Sequence, residues 1–441
     1  MKSLFSERTG GGCVDPDQET RGVTGGEGAS MRAMRLVGRL GQICARLVAA
    51  GFLLTGAAAC GGPFTASAPR PASASLSPQA GTEDGQPVFI TAARARESTR
   101  AAAGTSGATT SGGSPLHAGN PDGRAAVPVA AQAVDTSHPD HVIGDGAPAA
   151  CTSAAVVQAV AEGGIITFDC GPKPVTITMT ATAKVVNTSH QVVLDGGGKV
   201  TLSGGGSTRI LYMNTCDAAQ TYATSDCWEQ QWPQLVVQNL TLTDAYSATQ
   251  QSKTASYGGG AIFDEGGQLK VVNSVFSGDR CYATGPDLGG GAIRATGMDM
   301  SIPVYIVSDT FTGNSCSNGA ALSGLFANFA VYNSLMTGNK AIGSGANPAK
   351  SGTPGGGSGG AIYTDGAGYS LLVDGTAMSG NTANEGGGAI FFVVNSGGGT
   401  LTIDNSTLSD NPSGAFQNAP GIFDDVNSVV TQPTESGSSV S

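Results

Sequence analysis

Two carboxylates and one guanidinium are the side chains best placed to do chemistry in this sequence. Asp264 and Glu265 come shortly after the phrase Gly259-Gly260-Ala261-Ile262, and Arg294 directly follows the next copy, Gly290-Gly291-Ala292-Ile293. Thr364 and Asp365 hold the corresponding places after Gly359-Gly360-Ala361-Ile362. An acid, a base and a cation on neighbouring turns of chain suffice for acid–base catalysis, and carboxylates grouped with other oxygens can begin a calcium site. Either use requires Asp264, Glu265 and Arg294 to stack on one face. The competing reading, which the sequence favours, makes them solvated turn residues, because Gly-rich corners leave carboxylates in water. His190 is expected to be a lone surface residue. Tyr363, Phe391 and Phe392 have the faces to stack on sugar rings, but packing in a core or at an edge suits them better.

What positions these residues is a repeat. An apolar anchor followed three residues later by Asn or Asp occurs at Phe276–Asp279, Phe311–Asn314, Met336–Asn339, Met378–Asn381 and Leu408–Asn411, with a further anchor at Leu242. Seven residues before these anchors stand Leu235, Leu269, Val304, Phe329, Leu371 and Leu401. Five before stand Val237, Val271, Ile306, Val331, Val373 and Ile403. Apolar residues two apart mark a strand. Three before the anchors stand Asn239, Asn273, Ser308, Asn333, Gly375 and Asn405, mostly turn formers that tolerate the left-handed region. Each copy therefore reads strand, corner, short strand, corner, and Gly-Gly-Ala-Ile then opens another strand. Anchors recur about every 25 to 42 residues, and the variation falls mainly in inserts such as 341–360. A constant core with variable inserts predicts a solenoid of stacked coils, an all-β parallel β-helix whose Asn columns form amide ladders.

The ends of the chain read differently. Residues 1–30 lack apolar periodicity and read as an extension upstream of the true start. Residues 31–60 carry Arg32, Arg35, Arg39 and Arg46, then an apolar run of about 13 residues ending at Ala59, then Cys60. That layout is a secretory signal, too short for a spanning helix. It resembles a bacterial lipoprotein signal, which implies lipidation at Cys60, although Ala57 stands where such signals usually have Leu. Residues 61–143, rich in Ala, Ser, Pro and Gly, are expected to form a disordered tether. Residues 144–425 are the expected β-helix domain and 426–441 a polar tail. Near the start of the domain, Thr152 or Ser153 should cap a short helix ending at Glu162, before Gly163 and Gly164, which plugs the open end of the solenoid.

Net charge is −11, which argues against nucleic-acid partners. Beyond Cys60 stand six cysteines: Cys151, Cys170, Cys216, Cys227, Cys281 and Cys316. An even number in an exported chain suggests disulfides, with fifteen pairings open. Cys281 and Cys316 each lie five residues after an anchor, so stacked coils bring them roughly 4.8 Å apart, within bonding range. Cys151 and Cys170 flank the cap helix, and Cys216 and Cys227 close a short loop.

The repeats resemble the right-handed parallel β-helix, or pectin-lyase-like, superfamily. Phe311-Thr312-Gly313-Asn314 and Gly-Gly-Ala-Ile more narrowly resemble the repeat of chlamydial polymorphic outer-membrane proteins. The resemblance covers about residues 144–425. The superfamily includes pectate lyases, polygalacturonases and pectin esterases, but the Gly-His-Gly and Arg-Ile-Lys phrases of the polygalacturonases do not occur here. The expected protein is an exported, lipid-anchored, monomeric surface β-helix that adheres to or recognises a polysaccharide or another cell-surface ligand without cleaving it. The alternative is a polysaccharide lyase or glycoside hydrolase using Asp264, Glu265 and Arg294, with calcium as the one cofactor to consider.

Overall fold

The alternating apolar columns do form strands, and each strand lies in register on its copy in the next coil. The computed structural model describes residues 116–221, 223–247, 258–286, 288–345, 355–414 and 416–441. In it these residues build a parallel β-helix. Along one ladder, Gln234–Thr243 pairs with Gln268–Val272, then Val304–Val307, Phe329–Tyr332, Leu371–Asp374 and Leu401–Asp404, all parallel. After the corner, the anchors stack directly: Leu242 on Phe276, Phe311, Met336, Met378 and Leu408. A second face is built from Ala183–Lys184, Leu211–Asn214, Ile262–Glu265, Ile293–Thr296, Leu322–Leu325, Ile362–Ala367, Ile390–Ser396 and Ile422–Val426. The apolar columns of both faces meet in one continuous core. Phe276 and Phe311 lie stacked there, with ring centroids 4.8 Å apart.

Two features of the phrases follow from the stacking. The residues three before the anchors all take positive φ: Asn239 53°, Asn273 48°, Ser308 54°, Asn333 49°, Gly375 63° and Asn405 47°. In Gly-Gly-Ala-Ile the second Gly has a separate cause. A Cβ on Gly260 or Gly360 would strike a carbonyl of the neighbouring coil, Gly291 or Gly388.

The side chains after the anchors form the expected amide ladder inside the solenoid. Asn314 Nδ2 donates to Asn339 Oδ1 at 2.9 Å, Asn339 to Asn381 at 2.8 Å and Asn381 to Asn411 at 2.8 Å. A parallel ladder, which the sequence did not suggest, occupies the position just after the left-handed corner. There Ser334, Thr376, Ser406 and Ser438 each accept a backbone N–H from the preceding coil. Both ladders satisfy corner N–H groups that would otherwise be buried without partners.

The α-helix α1 (Ser153–Glu162) is capped by the Thr152 side chain accepting from the Ala155 N–H, and Gly163 follows it. Its Val156, Ala159 and Val160 join the core. The three disulfides are Cys151–Cys170, Cys216–Cys227 and Cys281–Cys316, with Cα separations of 5.8, 5.1 and 4.7 Å.

Two boundaries differ from the sequence reading. Within the expected tether, residues 116–140 lie along the outside of the solenoid, and His141–Gly144 is already a strand paired with Gly164–Asp169. Within the expected polar tail, Thr434–Ser436 and Ser439–Val440 extend the ladder of Leu401–Asp404 and Thr407–Ser409. The signal, Cys60 and residues 61–115 lie outside the described residues.

Candidate functional site

The three predicted acid–base residues do not converge. Strand Ile262–Glu265 begins with Ile262 facing the core, so alternation turns Phe263 and Glu265 outward and Asp264 inward. Parallel register then sets Arg294 beside Phe263, Ala295 beside Asp264 and Thr296 beside Glu265. Arg294 is fully buried on the outer face, where its Nη1 donates to Ser323 Oγ. Asp264 is fully buried on the inner face, and neither carboxylate oxygen has a hydrogen-bond partner among the described residues. Burial, reinforced by the Glu265 charge, pushes the Asp264 pKa well above the usual carboxylate range. The expectation of solvated turn residues therefore fails for Asp264 and Arg294, because the strand, not the Gly-rich corner, holds them. Tyr363, Phe391 and Phe392 are also buried. Tyr363 and Phe391 stack at 5.1 Å in a cluster outside the main core, and Phe392 lies inside it.

The exposed chemistry of this face gathers around Glu265 instead. The chain just inside and just beyond the Cys216–Cys227 disulfide brings Asp217 and Trp228 to it. Glu265 Oε2 accepts from Asn214 Nδ2 at 2.7 Å, and Oε1 accepts from Trp228 Nε1 at 3.1 Å. Burial raises the Glu265 pKa, against those two hydrogen bonds and the positive charge of Arg294. Asp217 goes the other way. Burial opposes its ionisation, but the Ala219 N–H, the Tyr212 hydroxyl, Gln220 and the Lys184 charge together lower its pKa. Tyr212 Oη donates to Asp217 Oδ2 at 3.0 Å, and the Lys184 ammonium sits 5.6 Å from the Tyr212 ring centroid. Burial and the Asp217 charge raise the Tyr212 pKa.

Beside this cluster two indoles face water, Trp228 at 52 % and Trp232 at 43 % exposure. Trp228 lies against the Gly297 backbone, where any Cβ would strike the indole ring. Trp232 leans on His190 with centroids 5.7 Å apart, so that histidine packs against an aromatic rather than standing alone. The sequence reading missed Trp228, Trp232, Asp217 and Asn214. Two Trp residues just after a Cys-closed loop were the available signal. Among the described residues no group of three or more His, Cys, Asp or Glu is arranged to hold a metal ion, and no helix is long and apolar enough to cross a membrane.

No protein-family model matches this chain, and neither does a curated protein or a solved structure. The class of the protein, an all-β parallel β-helix, therefore rests on strand register alone.

Proposed function

We propose that this chain is an exported β-helix of the pectin-lyase-like type, anchored through a lipid on Cys60, that recognises or adheres to a surface ligand without cleaving it. The observation that carries the non-catalytic part is the separation of Asp264 from Arg294 and Glu265 by the plane of the sheet. A rigid sheet has no low-energy motion that turns one inward side chain to its outer face. The three disulfides suit an oxidising, extracellular compartment and so support export. Incubating the exported protein with acidic and neutral polysaccharides, with and without calcium, tests the reading. Binding without new reducing ends or unsaturated products is the expected outcome, and turnover would refute it.

A second reading, a polysaccharide lyase or glycoside hydrolase, is favoured by one observation. Environment pushes the Glu265 and Asp217 pKa values apart, which is how acid and base roles are divided between two carboxylates. Turnover that Glu265→Gln abolishes and Asp264→Ala leaves intact would establish this second reading.

A further inference from the structure

The described chain opens with a segment that belongs to no strand. It runs up one corner of the solenoid, turns and comes back. Ala118 N–H donates to Asn273 Oδ1 at 3.2 Å, Gly119 N–H to Thr310 Oγ1 at 2.8 Å and Asn120 Nδ2 to the Gly375 carbonyl at 2.9 Å. On the return, Thr136 Oγ1 donates to Asp195 Oδ2 at 2.7 Å. Between these points two primary amides each hold both backbone groups of one residue. Asn333 accepts from the Ala125 N–H at 2.8 Å and donates to the Ala125 carbonyl at 3.0 Å. Gln238 accepts from the Val134 N–H at 2.9 Å and donates to the Val134 carbonyl at 3.0 Å. The N–H and C=O of one residue point the same way only in an extended chain, and a side-chain amide offers the matching acceptor and donor. Lys270 adds a third main-chain contact, its ammonium donating to the carbonyls of Ala130 and Gln132 at 3.2 and 2.7 Å.

Side chains of the segment contribute by being small. Ala131 is buried, and Ala125 and Val127 are partly so, on an outer apolar strip of Val272, Val307, Ala330 and Tyr332. A Cβ at Gly123 would strike Asn333 and the Gly375 carbonyl. Val129, by contrast, is 84 % exposed.

We propose that this outer face is a groove for an extended, small-residue peptide, recognised through its main chain, and that the chain fills the groove with its own residues 116–136. Pairing side-chain amides with a peptide backbone gives affinity with little dependence on sequence, as adding a strand to a sheet edge does. The proposal concerns a face distinct from the Glu265 cluster, so it stands whichever use that cluster has.

The test keeps the full chain and replaces residues 137–139, of which Ser137 and His138 are exposed, with a protease site, so that cutting leaves the segment held only by these contacts. A labelled synthetic peptide of residues 116–136 should then exchange into the groove with saturable binding. N-methylation at the positions of Ala125 and Val134 removes one main-chain donor each while leaving every side chain in place, and should weaken binding about tenfold each. Replacing Val129 in the peptide should leave binding unchanged. Asn333→Gly in the protein keeps the left-handed corner and should also weaken binding about tenfold. A segment that neither leaves nor exchanges after cutting, or binding indifferent to N-methylation, would overturn the proposal.

Discussion

Asp279 is the first member of the amide ladder and its one acid, which makes Asp279→Asn a direct test of how the coils are joined. In the rungs above it, each Nδ2 donates twice. For Asn314, Asn339 and Asn381 one bond goes to the Oδ1 of the next coil and the other to the anchor carbonyl of the coil before, as Asn314 does to Asn339 at 2.9 Å and to Phe276 at 3.2 Å. Asn411, the last rung, donates to the Met378 carbonyl and to the Ser409 carbonyl of its own coil. Asp279 Oδ1 accepts from the Ala245 N–H at 2.9 Å, and the Asp279 N–H donates to Asn314 Oδ1 at 2.8 Å. Its Oδ2 is buried without a hydrogen-bond partner among the described residues. By register, that oxygen occupies the place of a donor, between acceptors. A protonated carboxyl has one hydrogen to place there and asparagine has two, so asparagine adds one hydrogen bond, a gain of about 0.5–1.5 kcal/mol before any effect of pH. The midpoint of thermal unfolding should rise by roughly 1–2 °C from that bond.

The gain should also depend on pH. Burial, with the nearby Asp244 charge adding to it and the Ala245 N–H opposing, holds the Asp279 pKa well above its ordinary value of 3.8. The folded chain thus keeps a proton that the unfolded chain releases above that value. Its contribution is fully present below about pH 3.8 and is lost as pH rises towards the folded pKa, by up to about 1.4 kcal/mol per pH unit. Asp264 and Asp309 are shifted in the same direction, chiefly by burial, and slope the wild type the same way. Urea unfolding of wild type and Asp279→Asn at pH 5, 6, 7 and 8 isolates the one group. The advantage of the variant should widen with pH. An advantage of equal size at pH 5 and pH 8, or none at pH 7, would refute the protonated first rung.

Three further outcomes are expected. Non-reducing peptide mapping should recover Cys281–Cys316, and the double Cys→Ser variant at these positions should lose roughly 2–4 kcal/mol in urea unfolding. Phe311→Ala opens a cavity in the stacked aromatic column and should cost about 3–5 kcal/mol by the same measurement. Cys60→Ser should move the protein from the membrane fraction to the soluble fraction, and unchanged fractionation would remove the lipid anchor from the proposed function.

Much of the fold was legible because a solenoid turns one-dimensional spacing into three-dimensional contact. The columns at Leu235, Val237, Asn239 and Leu242 recur at fixed distances from each anchor, and each recurrence became a direct inter-coil neighbour. Cys281 and Cys316 met for the same reason. The hydroxyl ladder through Ser334, Thr376 and Ser406 was harder to see. Ser and Thr in a corner look like any turn until the coils are stacked and a donor from the previous coil points at each oxygen. Residues 116–136 gave no signal because the groove holds mainly their backbone, and composition does not encode where a backbone docks.

The predicted site failed for a reason that was already in the sequence. Ile262 opens a strand facing inward, and a period of two then assigns Phe263 outward, Asp264 inward and Glu265 outward. Counting from Ile293 in the same way puts Arg294 on the outer face, beside Phe263. Treating the residues after Gly-Gly-Ala-Ile as a turn discarded that parity and grouped side chains that the sheet divides. The same parity predicts which neighbours remain. Asn214 and Thr296 share the outer column with Glu265, and the residue that follows the Cys216–Cys227 disulfide, Trp228, joins it. Function on this face is therefore to be sought at Glu265 with Asn214, Asp217 and Trp228, where a half-buried acid, an ionised one and an exposed indole meet on a rigid sheet.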